Sequence, residues 1–256
     1  MKQSPDWNRT AADYARHRAG FPGWFYDRMA ERRLFGPHSQ ILDIGTGTGF
    51  LGRGFAQRGA KVTGLDVAAG MMDAARDLDR AAGLATDYVL APAETTGLPA
   101  GRFDLISAGT CWHWFDAAKV MAEAMRLLKP GGHLLIANLV WLPLPGNVVA
   151  ATEALIEAHN PNWHLGGWQG HSADQQRHLI EGGFVDRESA SFDYDIPYSP
   201  EAWRGRIRGS AGVAASLGAA EVTAFDAELG ALLAKDFPGD PIQVPHRLVA
   251  LWGAKP

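Results

Sequence analysis

Residues 41–50 read Ile-Leu-Asp-Ile-Gly-Thr-Gly-Thr-Gly-Phe. An apolar run meets an acidic residue, and then glycine stands at every second position. A short β-rich run bounded by glycine suits a strand covered on both faces. Alternating glycines suit a tight turn in which backbone comes close to a ligand. Phe50 to Gln57 then reads as a helix, with Gly59 as its stop signal. Strand, glycine loop and helix N-terminus together form a nucleotide-site geometry.

The nucleotide is set by what surrounds the loop. Gly47-Thr48-Gly49-Phe50-Leu51-Gly52 satisfies the dinucleotide pattern G-x-G-x-x-G. Asp43 argues against that ligand, because a carboxylate at the strand end repels a pyrophosphate. It attracts a ligand carrying an ammonium and a sulfonium. S-adenosylmethionine is such a ligand. Its ribose calls for a second acid at the end of the next strand, roughly 20 residues on. Lys61-Val62-Thr63-Gly64-Leu65-Asp66 supplies it.

With these residues the chain resembles the class I S-adenosylmethionine-dependent methyltransferases. The loop from Asp43 through Gly45, Thr46, Gly47 and Gly49 looks like their first motif, and Asp66 like their ribose-binding acid. Leu127-Leu128-Lys129-Pro130-Gly131-Gly132 looks like the turn before their fifth strand. The resemblance implies an α/β, Rossmann-like methyltransferase fold. Its mostly parallel seven-stranded sheet carries helices on both faces, and an aromatic-rich cap is inserted after the fifth strand. The expected layout is a single domain, with lid helices over 1–37, a cofactor-binding core over 38–140, a cap over about 141–183, and C-terminal helices and hairpin over 184–256.

The same resemblance carries over to further residues. Tyr14 and Arg18 share one face of an N-terminal helix, and in similar enzymes such a pair approaches the methionine end of the cofactor. A packed tyrosine and a solvated arginine would give the same pattern. Val67 and Met71 occupy positions set against the adenine ring, although Met71 equally suits core filling. The loop after the third strand, Asp87 to Leu90, departs from the family. Pro92 stands where an acid is usual, which leaves Glu94 or the Ala93 backbone N–H for the adenine amino group.

Phe103 to Ala108 reads as the fourth strand. In open parallel sheets ligands sit beyond the carboxyl ends of the strands. Ala108, Thr110 and the following loop therefore face the site. Trp112-His113-Trp114-Phe115-Asp116 resembles the aromatic-His-Trp-x-Asp stretch of a bacterial group of small-molecule methyltransferases. Asp116 reads as the N-cap of the next helix. His113 is the candidate general base for a hydroxyl or carbon-acid acceptor. Its alternative role is to hold the loop through a backbone carbonyl.

Nine tryptophans are present. Trp112, Trp114, Trp141, Trp163 and Trp168 fall on loops after strands four and five, where they suggest an aromatic or apolar acceptor or, taken singly, cap packing. Asn147 to His159 and Ser172 to Glu181 read as helices, the second opened by a Ser172/Gln175 capping box. Phe184 to Tyr194 has strand character. Ser199 to Leu217 reads as helical and holds Arg204, Arg206 and Arg208, which with Arg247 suit either a carboxylate ligand or a solvated surface. Glu221 to Lys235 reads as a helix and Val244 to Gly253 as the last strand.

Composition narrows the partners. A net charge of −4, from 24 basic and 28 acidic residues, gives no electrostatic case for nucleic acid or an anionic membrane. One cysteine, Cys111, excludes an intrachain disulfide and a cysteine-rich zinc site. No metal site is expected. The first residues lack the apolar core of a secretory signal, so the expectation is a cytoplasmic monomer or homodimer acting on a small molecule. The readings left open are an NAD(P)-dependent oxidoreductase and an S-adenosylmethionine-binding protein without turnover.

Overall fold

A computed structural model describes residues 7–256, apart from the side chain of Asn8. The expectation about the first residues as a leader falls mostly outside them. After a 3₁₀ turn at Trp7–Thr10 come α1 (Ala11–His17) and α2 (Gly23–Glu31). The nucleotide-type core follows as β1 (Gln40–Ile44), α3 (Phe50–Ala56), β2 (Lys61–Asp66), α4 (Ala69–Ala81), β3 (Asp87–Leu90), β4 (Phe103–Gly109), α5 (Ala117–Leu127) and β5 (Leu128–Trp141). The remainder is α6 (Val148–His159), α7 (Ala173–Glu181), β6 (Val185–Tyr198), α8 (Pro200–Arg208), α9 (Ala219–Asp236) and β7 (Ile242–Ala254).

The strands form one seven-stranded sheet in the order β3-β2-β1-β4-β5-β7-β6. β1 pairs in parallel with β2 and β4, β2 with β3, and β4 with β5. β7 runs against β5, as the pairings of Gly131 and Gly132 with Lys255 and of Leu142 with Pro245 require. The sheet is therefore mixed. Its order reverses between β1 and β4, and such a switch point opens a crevice at the carboxyl ends of the strands.

The chain divides into two compact units. The first comprises residues 20–139, 171–192 and 248–256. Its core joins Leu42 and Ile44 of β1, Ile106 of β4 and Leu134 and Ile136 of β5 to Val120, Met121 and Leu127 of α5. Each fully buried side chain of this kind stabilises by about 1.5–3 kcal/mol. α3 packs unusually close to its neighbour. A Cβ on Gly54 would lie 2.0 Å from the Tyr26 ring, whose hydroxyl donates to the carbonyls of Phe50 and Leu51.

The second unit comprises the chain up to Ala19 with residues 140–170 and 193–247. Trp203, Ile207, Ile156, Val213 and Phe225 fill its core. Trp203 is fully buried, and its indole N–H donates to Thr152 Oγ1 at 3.1 Å. These units cut across the expected layout. The lid stretch 1–37 divides at Ala19, and the stretch 141–183 divides at Gly170.

Two element boundaries and one helix cap differ from expectation for local reasons. The helix beginning at Ser199 ends at Arg208, and residues 209–217 are turns. A Cβ at Gly209 would sit 3.1 Å from the Tyr14 backbone nitrogen, so this glycine marks a close approach of two backbones. β5 begins at Leu128, because Gly131 and Gly132 pair with Lys255 rather than forming a free turn. Ser172 caps α7, but the Gln175 side chain turns inward and accepts from Asn138 Nδ2 at 2.9 Å. There is no capping box. Among the described residues no helix is long and apolar enough to cross a membrane.

Candidate cofactor site

The glycine loop joins β1 to α3. Gly45, Gly47 and Gly49 all adopt positive φ, at 60°, 56° and 77°. Only glycine adopts this region without strain. A Cβ built on Gly47 would meet nothing nearer than Met71 Cε at 3.6 Å. That face of the loop is open, a cradle with backbone directly behind it.

Asp43 does not present a free carboxylate to this cradle. It is 1% exposed. Thr46 and Ser107 hydroxyls each donate to it at 2.6 Å, and the Gly52 N–H donates at 3.2 Å. Burial raises its pKa to about 6, against the lowering effect of these three donors. The side chain therefore ties β1, the loop, α3 and β4 together. It shapes the loop, where direct attraction of a ligand was expected.

Asp66 ends β2 and is half-buried. Its Oδ2 accepts from the Gly47 N–H at 2.8 Å and its Oδ1 from the Ala68 N–H at 2.9 Å. A carboxylate has about four acceptor positions, so capacity remains for a vicinal diol. Next to it, Val67 is 69% exposed and Leu90 61% exposed. The register pairs Asp66 with Leu90, so both apolar residues stand at the carboxyl ends of β2 and β3. Val67, expected against an adenine ring, stands exposed just after β2. Leu90 is absent from the sequence reading, because an apolar residue at the end of a buried strand reads as core. Met71 is buried beneath the loop.

A second set of side chains supports the loop from behind. Arg53 donates to Asp79 Oδ1 at 2.6 Å and to the Thr48 carbonyl at 2.9 Å. Tyr88 donates to Asp79 Oδ2 at 2.7 Å, and burial pushes its phenol pKa up. The pair is largely buried, and breaking such a pair costs about 3–5 kcal/mol. No local pattern joins Arg53, Asp79 and Tyr88 in the sequence.

The expected contacts after β3 and β4 fare unevenly. Ala93 is buried, and Glu94 Oε1 accepts the Asp116 N–H at 3.0 Å, which gives that carboxylate a loop-holding contact. Ala108 is fully buried in the core. Thr110 has a positive φ of 56° and its hydroxyl accepts the Leu139 N–H at 3.1 Å. Such a conformation in a β-branched residue costs about 1–3 kcal/mol and concentrates at ligand sites.

Asp116 caps α5 as expected. Trp112 is corrected from a substrate contact to a core residue. It is 3% exposed and its indole N–H donates to His178 Nδ1 at 3.2 Å. His113 and Trp114 are exposed and their rings lie 4.7 Å apart.

Tyr14, Arg18, Trp141, Trp163 and Trp168 all belong to the other unit. There Arg18 lies over the Tyr14 ring at 4.9 Å. Trp141 donates to Glu153 Oε1 at 2.7 Å, and Glu153 Oε2 accepts the Gly167 N–H at 2.9 Å. Trp163 packs on that unit's core, and Trp168 is partly buried. The arginines Arg204, Arg208 and Arg247 are ion-paired.

Comparison with known proteins agrees with this geometry. Residues 42–136 match the family described as a methyltransferase domain. The chain is 36% identical over 104 residues to a malonyl-[acyl-carrier protein] O-methyltransferase of Serratia marcescens, covering 40% of this chain and 39% of that protein. It spans less than half the length of the curated relatives it matches. Among solved structures it is similar to a methyltransferase-type protein of Bacillus halodurans, at 21% identity and a TM-score of 0.59, over 90% of this chain and 98% of that one. It is also similar to phosphoethanolamine N-methyltransferase 2 of Haemonchus contortus, solved with S-adenosyl-L-methionine. There the identity is 19% and the TM-score 0.56, over 98% of this chain and 56% of the other. The likeness to a methyltransferase domain covers the stretch from Leu42 to Ile136.

Proposed function

We propose that the protein transfers a methyl group from S-adenosylmethionine to a small organic acceptor of aromatic or apolar character. The observation that carries this is Asp66, fixed against the Gly47 N–H at the end of β2, with Val67 next to it in the chain and Leu90 paired to it in register, both exposed. An acid with exposed apolar residues at the same strand ends suits a ribose diol next to an adenine ring.

The cofactor supplies a methyl group already activated on a sulfonium. The protein then has to align, exclude water and, for some acceptors, remove a proton. Gly45, Thr46, Gly47 and Gly49 offer backbone to the cofactor. Asp66 would accept from the ribose hydroxyls, and Val67 and Leu90 would offer apolar surface to the adenine, with Met71 behind the loop. The Ala93 and Thr110 backbones close the site. Glu94, engaged with Asp116, acts through that loop. His113 stands exposed after β4 and takes the acceptor's proton where the nucleophile is a hydroxyl.

The His-Trp-x-Asp loop, with Trp114 exposed, belongs to this reading as an acceptor-facing element. So does an aromatic cap formed by Trp141, Trp163 and Trp168. We further place the protein in the cytoplasm, as a monomer or homodimer, with small molecules rather than nucleic acid or membrane as partners. The charge of −4 supports that choice.

Isothermal calorimetry with S-adenosylmethionine, S-adenosylhomocysteine and NADH tests the reading. Binding of the first two without NADH supports it. Binding of NADH alone overturns it. Binding of S-adenosylmethionine without turnover across a panel of hydroxy, amino and carboxylic acceptors reduces the protein to a cofactor-binding role.

A further inference from the structure

A cavity of about 410 Å³ opens at the amino ends of β1, β4 and β5. The glycine loop leaves the other, carboxyl end of β1, so the two places lie at opposite ends of one sheet. Every residue lining the cavity belongs to the same unit as that loop. Its volume is in the range of small-molecule sites, about 300–1,000 Å³.

The polar lining is rich in donors. Asp104 is its one carboxylate, and both oxygens are engaged. Oδ1 accepts from Lys129 Nζ at 2.7 Å, and Oδ2 accepts the Gln40 N–H at 2.8 Å. Lys129 and Asp104 therefore cancel in charge. Arg33 adds a positive charge that has no carboxylate partner among the described residues. The Ser39 hydroxyl accepts the Gly36 N–H at 2.9 Å, which leaves its own proton to donate. His133 is half-buried, and burial lowers its pKa against the raising effect of Asp186. A neutral imidazole still offers one N–H.

Arg33 holds its place under strain. It follows the C-cap of α2 with φ 60°, where glycine or asparagine is usual. A residue with a Cβ is strained in this region, and such outliers collect at ligand sites. The Met29 and Ala30 carbonyls, at the end of α2, are taken by the Leu34 and Arg33 N–H groups. The Cα face of Gly131 is open, since a Cβ there would meet nothing within 4 Å. Leu34 and Phe35 supply an apolar wall.

We propose that this cavity is a second ligand site, for a small phosphate monoester, held by Arg33, Ser39 and His133 with its organic part against Leu34 and Phe35. Three donors from three separate segments suit the three terminal oxygens of a phosphate better than the two oxygens of a carboxylate. The planar fork of a guanidinium matches phosphate geometry. The site shares no residue with the candidate cofactor site and does not depend on the methyl-transfer reading.

The test titrates the full chain, labelled with ¹⁵N, with phenyl phosphate, benzoate and phenol, and follows the amide shifts. Phenyl phosphate is expected to bind at least about tenfold more tightly than either comparison compound, with shifts at the Gly36, Ser39, Gly131 and His133 amides. Arg33→Gln is expected to weaken phenyl phosphate at least about tenfold and to leave phenol unchanged. Arg33→Gly suits φ 60° without strain, is expected to do the same, and serves if the glutamine variant does not fold. Absent binding, equal binding of the three compounds, or phenyl phosphate affinity retained in the Arg33 variants overturns the proposal. So do shifts confined to the 45–49 loop, which would move the phosphate to the other end of the sheet. Failure to bind S-adenosylhomocysteine is a separate result, and overturns the methyl-transfer reading alone.

Discussion

The Gly47 N–H donates to Asp66 Oδ2 at 2.8 Å. This one bond fixes the end of β2 against the middle of the glycine loop. It aligns an acid with the cradle before any ligand arrives. Asp66→Ala should therefore weaken S-adenosylhomocysteine binding by about 1–3 kcal/mol, through lost ribose acceptors and a loosened loop. Calorimetry reads it directly, and unchanged affinity removes Asp66 from the site.

Two glycine substitutions should separate binding from folding. Gly47→Ala introduces a side chain at φ 56° into open space, a strain of about 1–2 kcal/mol. It should keep a cooperative melt and lose most cofactor affinity. Gly54→Ala drives a methyl to within 2.0 Å of the Tyr26 ring in the same helix region, so it should lower stability by about 1–3 kcal/mol. Thermal melts and calorimetry on both variants check the contrast. A Gly47→Ala protein with native affinity would show that no ligand approaches this face.

Asp43 should leave a mark on the pH dependence of stability. Its pKa is about 6 in the fold against 3.8 in the unfolded chain. The native state then binds more protons between those values, so its contribution to stability falls as pH rises from about 4 to about 6 and is flat above. The full span is on the order of 2–3 kcal/mol. Asp43→Asn cannot titrate. Urea unfolding of both proteins at pH 4 and pH 7 should show the difference between them move in favour of the variant at the higher pH. A difference independent of pH would refute the assignment.

The loop after β4 gives a paired expectation. His113→Ala should lower turnover by about 10²-fold or more with a hydroxyl acceptor, while cofactor affinity stays the same. Trp112→Phe should act on stability, since it removes a buried N–H donor from His178. If His113→Ala leaves turnover intact, the histidine is a surface residue and the acceptor needs no base.

Much of the cofactor half was legible because its signals are local. Gly45, Gly47 and Gly49 alternate for a backbone reason, and each needs positive φ. Asp66 ends a strand whose apolar run is visible in six residues. Asp116 and Ser172 cap the helices they precede. What failed depended on distant neighbours. Trp112 looked like a pocket residue because it flanks a site loop, and the core claimed it. Leu90 looked like core, and the strand end left it exposed.

The sequence by itself determined the strand–loop–helix cradle, the order of the core elements and the two acids at their ends. Hydrophobic period, glycine and capping preferences act within a few residues, so they can be read along the chain. Only the tertiary structure decided which charges are paired. Arg204, Arg206 and Arg208 are alternate residues of one short helix. Two find carboxylates at Asp226 and Asp13, while Arg206 faces Trp141 and Tyr198. It likewise decided that Asp43 is enclosed by Thr46, Gly52 and Ser107. Solvation and long-range pairing arise only once segments far apart in the chain are packed together, and no local pattern encodes them.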